Sequence, residues 1–518
     1  MGLIQKIKNF FRKGANVISA QGSLQSILDH DRITTDPKEV TRIRDSLKYY
    51  SGDYGKLTFR NSFGDVTDRE FATVNMAKKV ANEYAKVIFN EQVEIAVGTV
   101  GKDGNRDVNN ETNAWVQHVL EHNDFKKNFS EYLEAGLALG GLAIRPYFDQ
   151  TTGEIEFSWA LADAFFPLES NTNNISEGAL TFKTTRAEGN KTFYFTLLEI
   201  HEWDDELYVI TNELYQSEDP EVIGKQVPLE KLYPNMIERA EIRTLKRPLF
   251  NYLKIAGFNN LNPGNPLGLG VFDNAKGSLD RINRAIDAFD REIVLGKRRI
   301  AAPETMLKGI VNQKTGEIKQ VLDPDEDIYQ IIPGSGDIDE FNVKDLTFDI
   351  RTEQYIATIN QHIRILEMET GLSTGTFTFD GNSIRQTKTA TEVVSERSQT
   401  YQSRNMQITQ VEKFIKELII NICELGRITN GKSGSIFKGE TPSEEEIGID
   451  FDDGIFIDKE SQKKYYTELG NAGYLPKWYV TAKLLNLPED KARALQEEAS
   501  RDIGRTAAGD INLPEELE

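Results

Sequence analysis

The stretch Phe272-Asp-Asn-Ala275-Lys-Gly-Ser-Leu279-Asp-Arg-Ile282-Asn-Arg-Ala-Ile286-Asp-Ala-Phe289-Asp-Arg-Glu-Ile293 decides the fold. Its apolar residues step by three and four, the spacing of a coiled-coil seam. At about 1.5 Å per residue the first helix would reach roughly 45 Å. A second seam follows at Ile356, Ile359, Ile363 and Leu366. Between the two lies a β-rich insertion punctuated by Gly and Pro. The pattern predicts a long hairpin of two helices bearing a small β head. Such a hairpin has little of its own chain to pack on. Identical copies in a ring are the simplest source of neighbours.

Working outward, residues 36–97 read as mostly helical, and 105–110 as a polar loop. Asp36-Pro37 is a helix start by cap and first-turn proline, and Ala114–Leu139 reads as one helix ending at Gly140-Gly141. Strands follow. Ala143–Phe148 and Glu154–Trp159 flank a turn, and Ala179–Thr185, Thr192–His201 and Glu206–Glu213 form a meander. Pro220–Pro266 is irregular. In the head, Val311 and Ile318 flank a short turn, Asp325, Glu326 and Asp327 make an acidic loop, and Ile328–Ile332 reads as a strand. After the second seam comes a Thr/Gly loop, Gly371–Gln386, and then a helix opened by a Thr389/Glu392 capping box and running to about Leu425. Glu446–Ile457 reads as a strand, and the chain from Asp458 as helical. The fold class is α+β.

The chain has 518 residues, enough for about three domains. Its single cysteine, Cys423, excludes an internal disulfide framework and sits in an apolar run where it is expected to be buried and inert. No apolar run reaches the length of a membrane span, and no membrane partner is expected. The amphipathic N-terminus, with Leu3, Ile4, Ile7, Phe10 and Phe11 on one face, has two readings, a membrane-surface helix and a segment that docks on protein, of which the second is the better. The net charge of −21 disfavours tight, field-driven binding of nucleic acid. It is compatible with a surface past which DNA must slide, and equally with plain solubility.

Motifs that promise chemistry fail on context. Gly426-Arg-Ile-Thr-Asn-Gly431-Lys432-Ser433 spells a Walker A loop. That loop requires a strand before it and a helix after it. Here a long helix precedes it, so a helix C-cap and polar loop is the better reading. His118-Val-Leu-Glu121-His122 spells an inverted zincin pattern, but no further ligand is indicated and a chance pair on a helix is the better reading. No nucleophile elbow, CxxC pair or dinucleotide fingerprint is present. No catalytic residue, metal or cofactor is expected. The basic cluster Lys297-Arg298-Arg299 has two readings: compensation of a helix C-terminus, or contact with DNA or a neighbouring subunit.

An ordered set of segments resembles the portal proteins of tailed bacteriophages, of the type found in long-tailed phages of Gram-positive hosts. It comprises Asn265-Pro-Leu-Gly-Leu-Gly-Val-Phe-Asp-Asn-Ala275, Leu295-Gly-Lys-Arg-Arg-Ile300, Gly371-Leu-Ser-Thr-Gly-Thr-Phe377, Lys388-Thr-Ala-Thr-Glu-Val393, Ile449–Asp458 and Asn471–Pro476. The resemblance implies the portal fold. Residues 1–265 would be the first part of an α/β wing, 266–300 the first stem helix and 301–345 the β-rich clip. Residues 346–370 would be the second stem helix, 371–387 the tunnel loop, 388–457 the long wing helix and a strand, and 458–518 a helical crown and tail. It further implies a homo-oligomeric ring of about twelve subunits at one capsid vertex, with no catalysis. Its partners would be the major capsid and scaffolding proteins, the large terminase subunit, the head–tail connector and double-stranded DNA in transit. The stem seam would be Phe272, Leu279, Ile282, Ile286, Phe289, Ile356, Ile359, Ile363 and Leu366. Facing the DNA would be Thr374, Gly375, Thr376, Thr378, Asn382, Ser383 and Arg385. Asp325, Glu326 and Asp327 would meet partners at the clip. The competing readings are a nucleotide-hydrolysing packaging enzyme and a capsid protein without a pore.

Overall fold

The computed structural model describes residues 23–60, 66–90, 92–100, 106–108, 110–170, 174–295, 300–301, 308–311, 318–321, 344–345, 349–377, 398–431, 434–451, 459–485, 491–497 and 499. Helix α1 (Pro37–Ser51) starts where the sequence predicts. Asp36 accepts the Lys38 N–H and the proline occupies the first turn. Hairpin β1 (Lys56–Arg60) and β2 (Val66–Glu70), helix α2 (Met76–Ile88) and strand β3 (Glu94–Val97) follow.

The single helix expected over 114–139 is two: α3 (Glu111–His122) and α4 (Phe125–Leu139). They part at Asp124, whose φ of 46° is left-handed. The neighbouring residue explains the break. The Asn123 amide nitrogen donates to the carbonyls of Val119 and Ile155, and its oxygen accepts the Phe157 N–H. The chain is thereby bent onto the following strands, and Phe125 and Phe129 come to stack near Trp159.

Those strands are β4 (Gly141–Asp149) and β5 (Glu154–Leu161), paired as the expected hairpin. The meander also forms. Strands β6 (Phe165–Ser170), β7 (Ile175–Glu188), β8 (Lys191–Asp204), β9 (Leu207–Ser217) and β10 (Lys225–Val227) lie in that order, and β11 (Arg239–Ile242) also pairs with β9. Strand β12 (Asn251–Lys254) breaks the irregular stretch and returns to β4.

The predicted hairpin of helices is α5 (Lys276–Leu295) and α6 (Thr352–Thr370). The base of the head is tied across by Ile300–Ala301 pairing with Lys344–Asp345, and the head contains the hairpin β13 (Lys308–Val311) and β14 (Ile318–Val321). Helix α7 (Ser398–Ile428) then crosses the core, and β15 (Ile447–Asp450) pairs with β3 near the start of the chain. Helices α8 (Lys459–Asn471) and α9 (Lys477–Leu485) follow. The capping box at Thr389 and Glu392, the strand expected at Ile328–Ile332 and the N-terminal amphipathic segment lie outside the described residues.

Two expectations for the hairpin are corrected. Helix α5 has 20 residues, so it spans roughly 30 Å rather than roughly 45 Å, and Phe272 precedes it. More important, the inner part of the seam does not need a neighbour, whereas Ile293 at its outer end is 48% exposed. Phe272, Leu279, Ile282, Ile359, Ile363 and Leu366 are buried within one chain, in the same core as Phe129, Leu133 and Phe414. Ile286, Phe289 and Ile356 are half-buried above them. Phe289 stacks on Tyr355 at 5.3 Å. The flanks of α5 also hold the chain before α2. Asn283 accepts the Val74 N–H at 3.0 Å, and Asp287 pairs with Arg69 and accepts the Ala72 N–H.

One polar knot fastens the hairpin to the body. The Arg42 guanidinium on α1 meets the buried carboxylate of Asp273 and donates to the carbonyls of Gly268, at 2.9 Å, and Leu139. Its Nε donates to Glu39 at 2.9 Å. Asp273 also accepts from the Gly270 N–H at 2.7 Å and the Ser46 hydroxyl, and pairs with Lys276 at 3.0 Å. The backbone must come close here. A side chain on Gly140, Gly268 or Gly270 would collide with a facing carbonyl. Asp273→Ala is expected to destabilise the subunit by about 3–5 kcal/mol, because Arg42 and Lys276 are then left with Glu39 alone, one positive charge of the buried cluster going uncompensated. Equilibrium urea unfolding checks this, and a loss under about 1 kcal/mol would contradict it.

Candidate functional site

The loop after the second seam begins as a clamped turn, not as free chain. Helix α6 ends on Gly371, whose φ of 77° is left-handed and whose N–H returns to the carbonyls of Glu367 and Met368. The Glu367 side chain is wholly buried. Its carboxylate accepts the N–H of Gly375, at 2.8 Å, and of Phe377. The Ser373 N–H donates to the Thr400 hydroxyl at 2.8 Å, and the Thr400 N–H donates back to the Ser373 hydroxyl at 3.1 Å. Ser403 donates to the Gly371 carbonyl at 2.8 Å, and Tyr84 to the Thr370 carbonyl at 2.6 Å. Helices α2, α6 and α7 thus meet at one root. Burial raises the Glu367 pKa above the ordinary carboxylate value, against the N–H groups of Phe377 and Gly375, which lower it.

From this root Thr374 and Gly375 face solvent, and Thr376 and Phe377 are half-buried. The Thr376 hydroxyl donates to the Ser373 carbonyl at 2.6 Å, so it is engaged within the turn. Gly375 takes φ of 90° with open space around it. Residues 371–377 are thus held by bonds to Glu367 and Ser403. Thr378, Asn382, Ser383 and Arg385 lie outside the described residues, as do Lys297, Arg298, Arg299, Asp325, Glu326 and Asp327. Sequence reasoning missed Glu367, Ser373 and Thr400. The available signal was an acid four residues before a C-capping glycine, which the apolar pattern outshines.

The refused motifs can be placed. Gly426 is not a C-cap but lies inside α7, which runs on to Ile428. It is needed there because Trp115 and Phe437, stacked at 4.4 Å, press on the helix and leave no room for a side chain. A tiny hairpin, Asn430–Gly431 with Gly434–Ser435, follows in place of a helix. Lys432 and Ser433 lie outside the described residues. His118 and His122 share a face of α3, but each meets a different glutamate of β5, Glu154 at 3.3 Å and Glu156 at 3.0 Å. Among the described residues no group of three His, Cys, Asp or Glu side chains could hold a metal ion. Cys423 is buried and its thiol is pushed up to about 12 by burial. No described helix is long and apolar enough to cross a membrane.

Glu367→Ala removes both acceptors at the root. Faster amide exchange at Gly375 and Phe377, by the equivalent of about 1–3 kcal/mol of lost protection, is expected while the seam amides of α5 keep theirs. Unchanged exchange at those two amides would show that the carboxylate does not hold the loop.

The family model that describes phage portal proteins of the SPP1 Gp6-like type matches residues 29–505. No curated protein matches the chain. Among solved structures it is similar to a chain from the neck of an empty GTA particle computed with C6 symmetry. That match has 12% identity and a TM-score of 0.45, over 89% of this chain and 96% of the other. This likeness is too loose to carry an argument. The family match, over nearly the whole chain, carries one: the chain belongs to the SPP1 Gp6-like family of phage portal proteins, the non-enzymatic virion proteins that form the DNA channel at a capsid vertex.

Proposed function

We propose that the parts of this portal subunit divide the work as follows. The α/β body, residues 1–265 with α7 and β15, is the wing. Helices α5 and α6 are the stem, the insertion 301–345 the clip, 371–387 the tunnel loop and 458–518 the crown. About twelve subunits close the ring. The terminase large subunit and later the head–tail connector dock on the clip, and major capsid and scaffolding proteins surround the wing. The phage is of the long-tailed type that infects Gram-positive hosts.

The clamped root at Glu367 is the observation that carries this reading. The second hairpin helix ends at Gly371, and the described chain resumes at Ser398, the start of α7. A loop so rooted can reach into a channel while its base stays fixed. Its Gly, Thr and Ser content suits weak, exchangeable contacts with phosphates. The cluster Lys297-Arg298-Arg299, at the other end of the stem, would face DNA or the neighbouring subunit.

Deleting residues 378–385 is expected to leave rings intact by negative-stain imaging while packaged genome length or retention falls. Full-titre phage with full-length genomes would show the segment to be a plain connector. Charge reversal at Asp325, Glu326 and Asp327 is expected to weaken terminase or connector binding without loss of rings. Pull-downs that are unchanged across several salt concentrations would remove these three residues from the docking surface.

A further inference from the structure

The approach to α5, residues 255–272, carries no charged side chain, although 28% of the chain is charged. Its first half is a loop built on asparagines. Asn259 is buried. Its amide nitrogen donates to the Leu267 carbonyl at 3.2 Å and to Glu39 at 3.4 Å, and its oxygen accepts the Asn262 N–H at 2.9 Å. The Asn262 amide donates to Asp36 at 2.9 Å, and the Asn265 side chain accepts the Leu267 N–H at 2.9 Å. Asn260 and Asn274 exchange amide hydrogen bonds, 3.1 Å each way. At the entry to the loop the Gln407 side chain on α7 accepts the Ala256 N–H at 2.9 Å. The loop is thus braced from α1, from α7 and from within.

This bracing holds two apolar side chains out in water. Phe258 is 72% exposed and Leu261 is 55% exposed. A single exposed apolar residue is ordinary. Two within four residues, on a charge-free loop whose polar groups are tied down, make a preformed contact. Folding has already ordered the loop, so docking loses little further freedom.

We infer that the 258–261 loop is a contact between neighbouring copies of this chain, a knob that seats in an uncharged apolar recess on a different face of the next subunit. This rests on the ring reading above. Charge selects the occupant. Copies that each carry −21 repel one another, and a meeting surface without charge adds nothing to that repulsion. DNA would find no cation on this loop to pair with, and a basic protein no carboxylate. The inner seam of α5 and α6 is already spent in each chain's own core, so contacts between copies fall to outward features such as this one.

The test uses the full-length protein and two readouts. In the first, p-benzoylphenylalanine replaces Phe258 and the assembled protein is irradiated. Covalent dimers and higher multiples are expected on a denaturing gel, with mass spectrometry placing the crosslinks on one face of the neighbouring chain. In the second, Phe258→Ser combined with Leu261→Ser is followed by mass photometry. The subunit concentration at half assembly should rise about tenfold or more, while the urea midpoint stays at the parent value because both side chains face water. Phe258→Leu should assemble closer to the parent. Assembly of the double variant equal to the parent's, or crosslinks confined to the irradiated chain itself, overturns the contact. Crosslinks made only to capsid or scaffolding protein, when these are added, assign the loop to another partner and overturn it equally. A parent protein that stays monomeric throughout overturns the ring reading and this contact together, whereas parent rings matched by the double variant overturn the contact alone.

Discussion

The buried pairing of Arg42 with Asp273 is the constraint on which the rest depends. It joins four separate parts of the chain: α1, the end of α4, the glycine-rich approach at 268–270 and the start of α5. Guanidinium and carboxylate are both removed from water, so each needs every bond it makes. The geometry then dictates sequence around it. Gly140, Gly268 and Gly270 lack side chains because the backbones they belong to pass too close for one. The direction in which the hairpin of helices leaves the body is set at this point, before the apolar seam of α5 begins.

The second fastening, at Glu367, lies on the other limb of the hairpin, at the same end. Asp273 opens α5 and Glu367 closes α6. Between them the seam residues belong to the body's own core, so α5 and α6 move with the body rather than as an independent arm. A displacement of α6 along its axis would pull on the amides of Gly375 and Phe377 through one carboxylate, and on α7 through Ser373 and Thr400. This is a physical route by which the hairpin and the turn that follows it can feel each other. It is a coupling by contact, and only two discrete arrangements of the root would make it a switch.

Periodic features were legible in the sequence. The seam spacing, the hairpin of β4 and β5, the β7–β9 meander and the Asp36-Pro37 helix start all reappear, because each is a local pattern with a local cause. Features decided by distant partners were not. The break at Asp124 follows from what Asn123 does with Ile155 and Phe157. Gly426 was read as a helix end because glycine ends helices, yet Trp115 and Phe437 require it inside one. The return of β15 to β3 joins segments about 350 residues apart, which no window along the chain can display. At the site, the loop's composition was visible, but the carboxylate that roots it sits on the helix before it.

The burial of the seam changes how assembly must be understood. If α5 and α6 had exposed an apolar stripe, a subunit would have been unfinished without its neighbours. Instead each chain completes its own core and meets its neighbours as a folded body. A ring built from such bodies uses heterologous contacts, one face of each subunit against a different face of the next. These contacts must also bring together copies that each carry a charge of −21. Like charges repel over distances set by ionic strength, with a Debye length of about 8 Å at physiological salt. Closure of the ring is then a balance between local complementarity at the contacting faces and repulsion summed over all copies. The same summed field opposes lasting attachment of DNA, which a channel must release as readily as it admits.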